Sequence, residues 1–176
     1  MDYPIITGTL PPQLDHADAC ARAVAALHPV SPGLTKNAIE EVQLSHFPLL
    51  GVEFEVVAHK GPALKVTGSR FPVVVDRVSG VPVITSVWPQ LRPGVPEGSI
   101  DCESLRFRID IDEGIEVARH AVTVSVMRRL KLASVFDLQL RRCVWPLWKP
   151  NYVVRFPGCD VLVDAVTGNV AVRENS

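Results

Sequence analysis

The sequence predicts an α+β fold of two repeats, each with one helix packed on an antiparallel three-stranded sheet, in a pseudo-two-fold arrangement. Three observations support this prediction: the chain carries an internal duplication, each copy opens with an amphipathic helical pattern, and each copy ends in the same hairpin turn. With 176 residues, 47% of them hydrophobic and 21% charged, the chain is long enough to bury a sizeable core. Each repeat alone is marginal in size, so we expect the two apolar faces to be buried together.

The duplication is clearest in the last hairpin of each copy, where residues 73–83 align without a gap with residues 161–171. Two further blocks recur upstream in the same order, residues 41–44 with 137–140 and residues 47–50 with 145–148. The number of residues between matching positions of the two copies changes mainly at residues 58–70, where the first copy has a longer hairpin loop than the second. Both copies therefore predict the same order of elements: helix, strand, strand, strand.

Each copy opens with a helical pattern that follows an acidic residue, Asp15 in the first and Asp112 in the second. Asp15 is well placed as an N-cap. Apolar side chains then recur at three-and-four spacing, which gathers them into one buried stripe on each helix. The stripe residues are Ala17, Cys20, Ala21, Val24 and Leu27 in the first helix, and Ile115, Ala118, Ala121, Val122 and Val126 in the second.

Asp76 and Asp164 each begin an Asp-x-x-Ser/Thr-Gly segment between two apolar strands. Such an aspartate accepts backbone N–H bonds across a tight turn, and the glycine that follows, Gly80 or Gly168, takes a positive φ. We therefore interpret both segments as structural turns rather than catalytic motifs.

A connector rich in proline and glycine separates the copies. The predicted division is residues 1–86 for the first repeat, 87–111 for the connector plus one strand, and 112–176 for the second repeat, all in one compact unit. The strand at the end of the connector is predicted from the alternation of Phe107, Ile109 and Ile111.

Residues 152–154 and 161–170 carry a strand followed by a hairpin written as apolar-Val-Asp-Ala-x-Thr-Gly-x-Val, and residues 54–57 and 73–80 are a weaker copy of it. Together with the preceding helices, this pattern resembles tandem PepSY-type repeats. The resemblance implies an α+β fold with a helix against an antiparallel sheet. It also implies a non-catalytic binding or inhibitory module of the kind found beside peptidases or at the cell envelope.

The sequence contains no nucleotide-binding glycine motif and no His/Cys spacing typical of zinc hydrolases or deaminases. His16 and Cys20 share a helix face, but capping by Asp15 and burial of Cys20 account for that cluster. We predict no catalytic residue, no metal site and no cofactor. The longest apolar runs are far shorter than the roughly 20 residues of a membrane helix, and the first residues do not resemble a signal peptide. We therefore expect no membrane insertion and a cytoplasmic location.

The candidate site is a basic and aromatic stretch in the second copy, where residues 128–155 carry seven Lys or Arg and one Asp. Arginine beside tryptophan or tyrosine is typical of protein interfaces, because the guanidinium group stacks on planar groups and pairs with anionic ones. The predicted partner-binding residues are Arg128, Arg129, Arg141, Arg142, Trp148, Lys149 and Tyr152.

These observations favour a non-catalytic protein- or peptide-binding or assembly module, whose free edge strands add a partner strand or a second copy of the chain. One alternative is a small-ligand-binding protein or an enzyme with a pocket between the repeats. Another is binding of single-stranded nucleic acid by the basic 128–155 surface, which the net charge of −1 disfavours.

Overall fold

The computed structural model describes residues 5–29, 33, 35–88, 90–94, 96, 106–130 and 135–174. Within them the chain forms eight β-strands and two α-helices. In chain order these are β1 (Ile5–Thr9), α1 (His16–Leu27), β2 (Glu41–Val57), β3 (Arg70–Asp76), β4 (Val81–Ile84), β5 (Arg92–Pro93), α2 (Ile111–Leu130), β6 (Asp137–Phe156), β7 (Cys159–Asp164) and β8 (Val170–Glu174).

All eight strands belong to one mixed sheet with the order β4-β3-β2-β6-β1-β5, in which β7 also pairs with β6, and β8 with β7. The pairs β2–β3, β3–β4, β6–β7 and β7–β8 are antiparallel. The prediction of an α+β protein is confirmed at that level. The finer prediction, two repeats of one helix on a three-stranded sheet, is wrong, because the strands of both copies join one sheet.

The chain divides into two compact units, and each takes segments from both copies of the duplication. The first unit comprises Met1–Gly8, Pro48–Pro89 and Asp101–Leu147, and the second comprises Thr9–Phe47, Gln90–Ile100 and Trp148–Ser176. In the first unit α2 packs on β3 and β4, and in the second unit α1 packs on β7 and β8. Each helix therefore covers the last hairpin of the other copy, which is the physical reason why the predicted repeat packing fails. The repeat boundaries at residues 1–86, 87–111 and 112–176 stay a prediction.

The core of the first unit lies between α2 and one face of β2 and β3. Because strand side chains alternate between faces, every second residue of each strand points into this core. The fully buried strand residues are Leu50, Val52, Phe54, Val56, Val73 and Val75, and those of the helix are Ala118, Val122 and Val126. The three helix positions belong to the predicted stripe, which is confirmed there.

The core of the second unit lies between α1 and one face of β6 and β7. Its strand residues are Val154, Phe156, Val161 and Val163, and its helix residues are Ala19, Ala23 and Leu27. The predicted stripe is correct for Cys20 and Leu27, which are buried, but Ala17 and Ala21 are exposed and Ala19 and Ala23 take their place. The N-cap prediction is confirmed, since Asp15 Oδ1 accepts the backbone N–H of Asp18 at 2.8 Å.

Both Asp-x-x-Ser/Thr-Gly turns form as predicted. Asp76 Oδ1 and Asp164 Oδ1 each accept the backbone N–H of the residue two positions on, at 2.8 Å in both turns. The turn glycines Gly80 and Gly168 both have a φ of 78°, a conformation that favours glycine. The two hairpins thus share one turn geometry.

The strand predicted at the end of the connector is wrong, because residues 106–110 are irregular and Ile111 already belongs to α2. Asp110 rather than Asp112 caps this helix, since its Oδ1 accepts the backbone N–H of Glu113 at 2.7 Å. Ile109 is buried in the core of the first unit. The alternation of apolar residues here therefore serves core contacts rather than strand pairing.

Arg77 anchors this irregular segment. Its side chain is buried, and its guanidinium lies 4.4 Å from the ring centre of Phe107 and 4.3 Å from that of Trp145. Its Nε donates to the carbonyl oxygen of Ile109 at 3.0 Å. Burial lowers the pKa of Arg77, and the charge of Asp110 opposes that shift. One stacked cation therefore joins the β3–β4 turn to the start of α2.

In the part of the chain that the structure describes, neither helix combines the length and the apolar character needed to cross a membrane.

Candidate partner-binding edge

The seven predicted partner-binding residues fall in both units. Four of them lie in the first unit, Arg128, Arg129, Arg141 and Arg142, and three lie in the second, Trp148, Lys149 and Tyr152. Their role in partner binding stays a prediction.

In the first unit three of the four arginines contact groups of their own chain. Arg141 forms two hydrogen bonds of 3.1 Å to the carboxylate of Glu55, and these hold the pKa of Glu55 below its usual range. Arg142 stacks on the ring of Trp88 at 5.4 Å, and Arg129 lies 5.2 Å from the ring of Phe71. Arg128 is exposed at the end of α2. Much of the cationic surface predicted for a partner is thus used within the unit.

In the second unit the three predicted residues are mainly buried or in contact with other groups of the same unit. Trp148 has an exposed fraction of 4%, which leaves little of its indole for a partner. Lys149 Nζ lies 3.3 Å from Asp164 Oδ2. Tyr152 packs against the core of this unit and meets His16 edge to face, with ring centres 6.4 Å apart.

Groups with catalytic or metal-binding potential are scattered. His16 Nδ1 and Cys20 Sγ lie 3.8 Å apart, but among the described residues no three His, Cys, Asp or Glu side chains come together as a metal site. Burial raises the pKa of the Cys143 thiol, which opposes formation of a thiolate.

A depression of about 350 Å³ in the second unit is lined by Thr9, His46, Arg92 and several prolines. The small-ligand alternative stays a prediction.

Among the strands that the structure describes, β4, β5 and β8 are the ends of the sheet. An end strand matters for function because its unpaired N–H and C=O groups form a template for a further strand. β5 has two residues, Arg92 and Pro93, and offers almost no template. β4 contains Pro82, whereas the five residues of β8 include no proline. β4 and β8 are therefore the two ends long enough to pair with a further strand.

The hydrogen bonds of the β7–β8 ladder identify the groups that β8 leaves unpaired. The N–H of Asp164 donates to the carbonyl of Asn169 at 2.8 Å. Because hydrogen-bonded and non-hydrogen-bonded pairs alternate in an antiparallel ladder, the N–H and C=O groups of Ala171 and Arg173 also point to β7. The backbone groups of Val170, Val172 and Glu174 consequently point away from β7. Among the described strands β8 pairs with β7 alone, so this edge is open.

The outer edge of β4 is protected. The N–H of Thr85 donates to the carbonyl of Pro72 at 2.9 Å, which makes Pro82 and Ile84 the β4 residues whose backbone faces away from β3. Proline has no N–H, so this edge keeps one outward donor where β8 has three. Pro82 is thus placed where it hinders addition of another strand.

The outer face next to the open edge is apolar. Val153, Leu162 and Ala171 stand opposite one another across β6, β7 and β8, on the face that α1 does not cover. Leu162 has an exposed fraction of 42%, and a depression of about 190 Å³ is lined by these three residues together with Asp160, Val172 and Arg173. This apolar row runs up to the open edge.

In the first unit the corresponding face of β2 is covered. A Cβ on Gly51 would lie 2.8 Å from Cη2 of Trp88 and 2.9 Å from Cδ2 of Leu147, so the indole is in direct contact with the backbone there. The two hairpins therefore differ in the outer face as well as in the edge. One signal of this difference was present in the sequence: the duplication aligns Pro82 with Val170.

The chain matches no protein-family model, no curated protein and no solved structure.

Proposed function

We propose that the protein is a non-catalytic binding module that takes up an extended segment of another polypeptide as an additional strand beside β8. The observation that carries this proposal is the free, proline-free edge of β8, where Val170, Val172 and Glu174 direct their backbone groups away from β7. A strand added there gains main-chain hydrogen bonds without rearrangement of the sheet.

The contrast between the two hairpins supports this assignment. A sheet edge that serves no partner is commonly blunted by proline, by shortness or by a cover, because an open edge invites aggregation. β4 carries Pro82 and β5 is two residues long. Among the ends formed by the described strands, β8 has neither a proline nor a length of only two residues.

The outer face supplies side-chain contacts for the added strand. The row formed by Val153, Leu162 and Ala171 ends at β8, and an apolar residue on the added strand extends it by one position. Burial of one such side chain contributes roughly 1.5 to 3 kcal/mol when it is complete. The depression of about 190 Å³ beside this row provides the space.

The resemblance to PepSY-type repeats supports the same class of function, since those modules are non-catalytic binders. On this proposal the duplication produced two hairpins with one turn geometry, of which the second is the binding hairpin.

Phage display of random twelve-residue peptides on the purified protein tests the proposal, with Val170→Pro as the informative variant. The variant places proline where Pro82 already stands in the other hairpin, and the N–H that it removes does not bond to β7, so we expect the fold to be kept. The matched control is Ile84→Pro, which removes the outward donor of the β4 edge. A urea unfolding curve establishes that each variant is folded.

The proposal predicts enriched peptides that bind the wild type and Ile84→Pro and lose at least tenfold in affinity for Val170→Pro. It is contradicted if no peptide is enriched, or if the enriched peptides bind folded Val170→Pro as well as the wild type.

A further inference from the structure

A row of alternating charges crosses the sheet of the second unit and ends at the open edge. Arg155 of β6 stands opposite Asp160 of β7, and Asp160 stands opposite Arg173 of β8. On the side of β6 away from β7, Arg155 is ion-paired with Glu41 of β2. The order across the four strands is therefore negative, positive, negative, positive.

Arg173, the last cation of this row, is paired with Asp160 but largely exposed to solvent. Arg173 Nη2 lies 2.9 Å from Asp160 Oδ2, yet 80% of the Arg173 side chain is exposed while 12% of the Asp160 side chain is. Arg173 lies on an end strand, so a strand added beside β8 places a residue directly opposite it. Directly opposed opposite charges stabilise neighbouring strands, and like charges destabilise them.

The pairing pattern of β8 makes this position a close one. Ala171 and Arg173 bond to β7, so each forms a non-hydrogen-bonded pair with a strand added antiparallel to β8 on the other side. Side chains of such pairs approach more closely than those of hydrogen-bonded pairs. The residues opposite Ala171 and Arg173 are therefore the ones that this edge selects most strongly.

We infer that the segment bound beside β8 carries an aspartate or glutamate opposite Arg173 and an apolar residue opposite Ala171, two positions away on the same face. This inference rests on the proposed function and adds to it the chemistry of the partner: an extended acidic and apolar segment of another protein.

A second copy of the chain does not meet this requirement. In a symmetric antiparallel pair of β8 strands, residues with outward backbone groups must face one another. The three registers that pair at least two of Val170, Val172 and Glu174 place Arg173 opposite Asn169, Ala171 or another Arg173. None of these is acidic, and the last is a like-charge contact. The charge row thus disfavours a homodimer through β8.

Three synthetic peptides test the inference. Each is acetylated and amidated and has the sequence Thr-Thr-X-Thr-Val-Thr-Thr, where X is aspartate, asparagine or lysine. Affinity is measured from the backbone amide shifts of Val170, Val172 and Glu174 in the isotope-labelled full chain. The variants are Arg173→Glu and, as a control at an exposed arginine of the other unit, Arg106→Glu.

We expect the aspartate peptide to bind about 3- to 10-fold more tightly than the lysine peptide, with asparagine between them. Arg173→Glu reverses this order, and Arg106→Glu leaves it unchanged.

Equal affinities of the three peptides, or an order that Arg173→Glu does not alter, overturn the inference but leave the proposed strand addition standing. If no peptide shifts the β8 amides, both the inference and the proposed function are wrong.

Discussion

Pro82 of β4 and Val170 of β8 occupy the same position in two hairpins of the same design. Each lies two residues after a turn glycine of φ 78°, and each stands opposite a fully buried valine, Val75 for Pro82 and Val163 for Val170. In both cases the backbone nitrogen points away from the hairpin. The hairpins thus agree in turn and register and differ in whether their outer edge offers a hydrogen-bond donor.

Replacing Pro82 with valine should open the β4 edge. Val81 and Val83 have exposed fractions of 54% and 55%, so an edge that regains its donor there presents an apolar template for association between copies. We expect Pro82→Val to self-associate at concentrations where the wild type does not, as measured by light scattering over a dilution series. The control is Pro62→Val in the loop between β2 and β3. Equal scattering of Pro82→Val and the wild type would show that Pro82 does not protect this edge.

Loss of the stacked guanidinium of Arg77 should destabilise the first unit. Arg77→Ala removes contacts with the rings of Phe107 and Trp145 and the hydrogen bond to the Ile109 carbonyl. We expect the free energy of unfolding to fall by about 2 to 4 kcal/mol, measured by urea denaturation. Arg108→Ala, at an exposed arginine in the same segment, should change it by less than about 0.5 kcal/mol. Similar losses for both variants would contradict the anchoring role of Arg77.

A methyl group on Gly51 should displace Trp88. The added Cβ would lie 2.8 Å from the indole and 2.9 Å from Leu147, closer than packed carbon atoms approach. Gly51→Ala should lower the free energy of unfolding by about 1 to 3 kcal/mol and shift the tryptophan fluorescence to longer wavelength. Gly33→Ala is the control, because an added Cβ there has no neighbour within 4 Å. Unchanged fluorescence in Gly51→Ala would mean that the indole does not lie over β2.

The turn aspartate Asp164 should make stability depend on acid pH. Burial raises its pKa, but hydrogen bonds from Thr167 and from the backbone N–H groups of Val166 and Thr167, with the charge of Lys149, outweigh that effect and leave the pKa below its ordinary value of 3.8. A carboxylate whose pKa is lowered on folding stabilises the fold above its unfolded pKa, and this contribution is lost as the pH falls through the folded pKa.

Asp164→Ala should therefore cost about 1 to 2 kcal/mol at pH 7. The difference from the wild type should shrink as the pH falls below about 3.8. Urea midpoints of both proteins between pH 7 and pH 2 measure this. A difference that stays constant over the whole range would show that the charged carboxylate does not matter.

The sequence predicted the local structure of the hairpins well because their turn chemistry is local. The turns at Asp76 and Asp164 and the capping by Asp15 need no information beyond a few neighbouring residues. The predicted packing of the helices was wrong because a duplicated sequence offers each helix two similar hairpins on which it can pack. Val73 with Val75 and Val161 with Val163 offer similar apolar faces, so either helix fits either hairpin.

The surroundings of the candidate site could not be predicted, for a reason that lies in the sheet. Arg141 and Trp148 are predicted partner-binding residues, and that role stays a prediction, but the ion pair of Arg141 with Glu55 and the burial of Trp148 depend on neighbours distant in sequence. Which strand forms an edge follows from the strand order, which composition and periodicity do not contain. The strand order places Pro82 and Val170 on end strands, so the difference between them determines which edge offers a backbone N–H donor at that position.

Amide hydrogen exchange along β8 tests the central claim most directly. The open edge predicts that the amides of Val170, Val172 and Glu174 exchange fast in the free protein and those of Ala171 and Arg173 exchange more slowly. With the aspartate peptide at saturation, all five amides should be protected. Outward amides that are already protected in the free protein, or that stay unprotected with bound peptide, would contradict strand addition at β8.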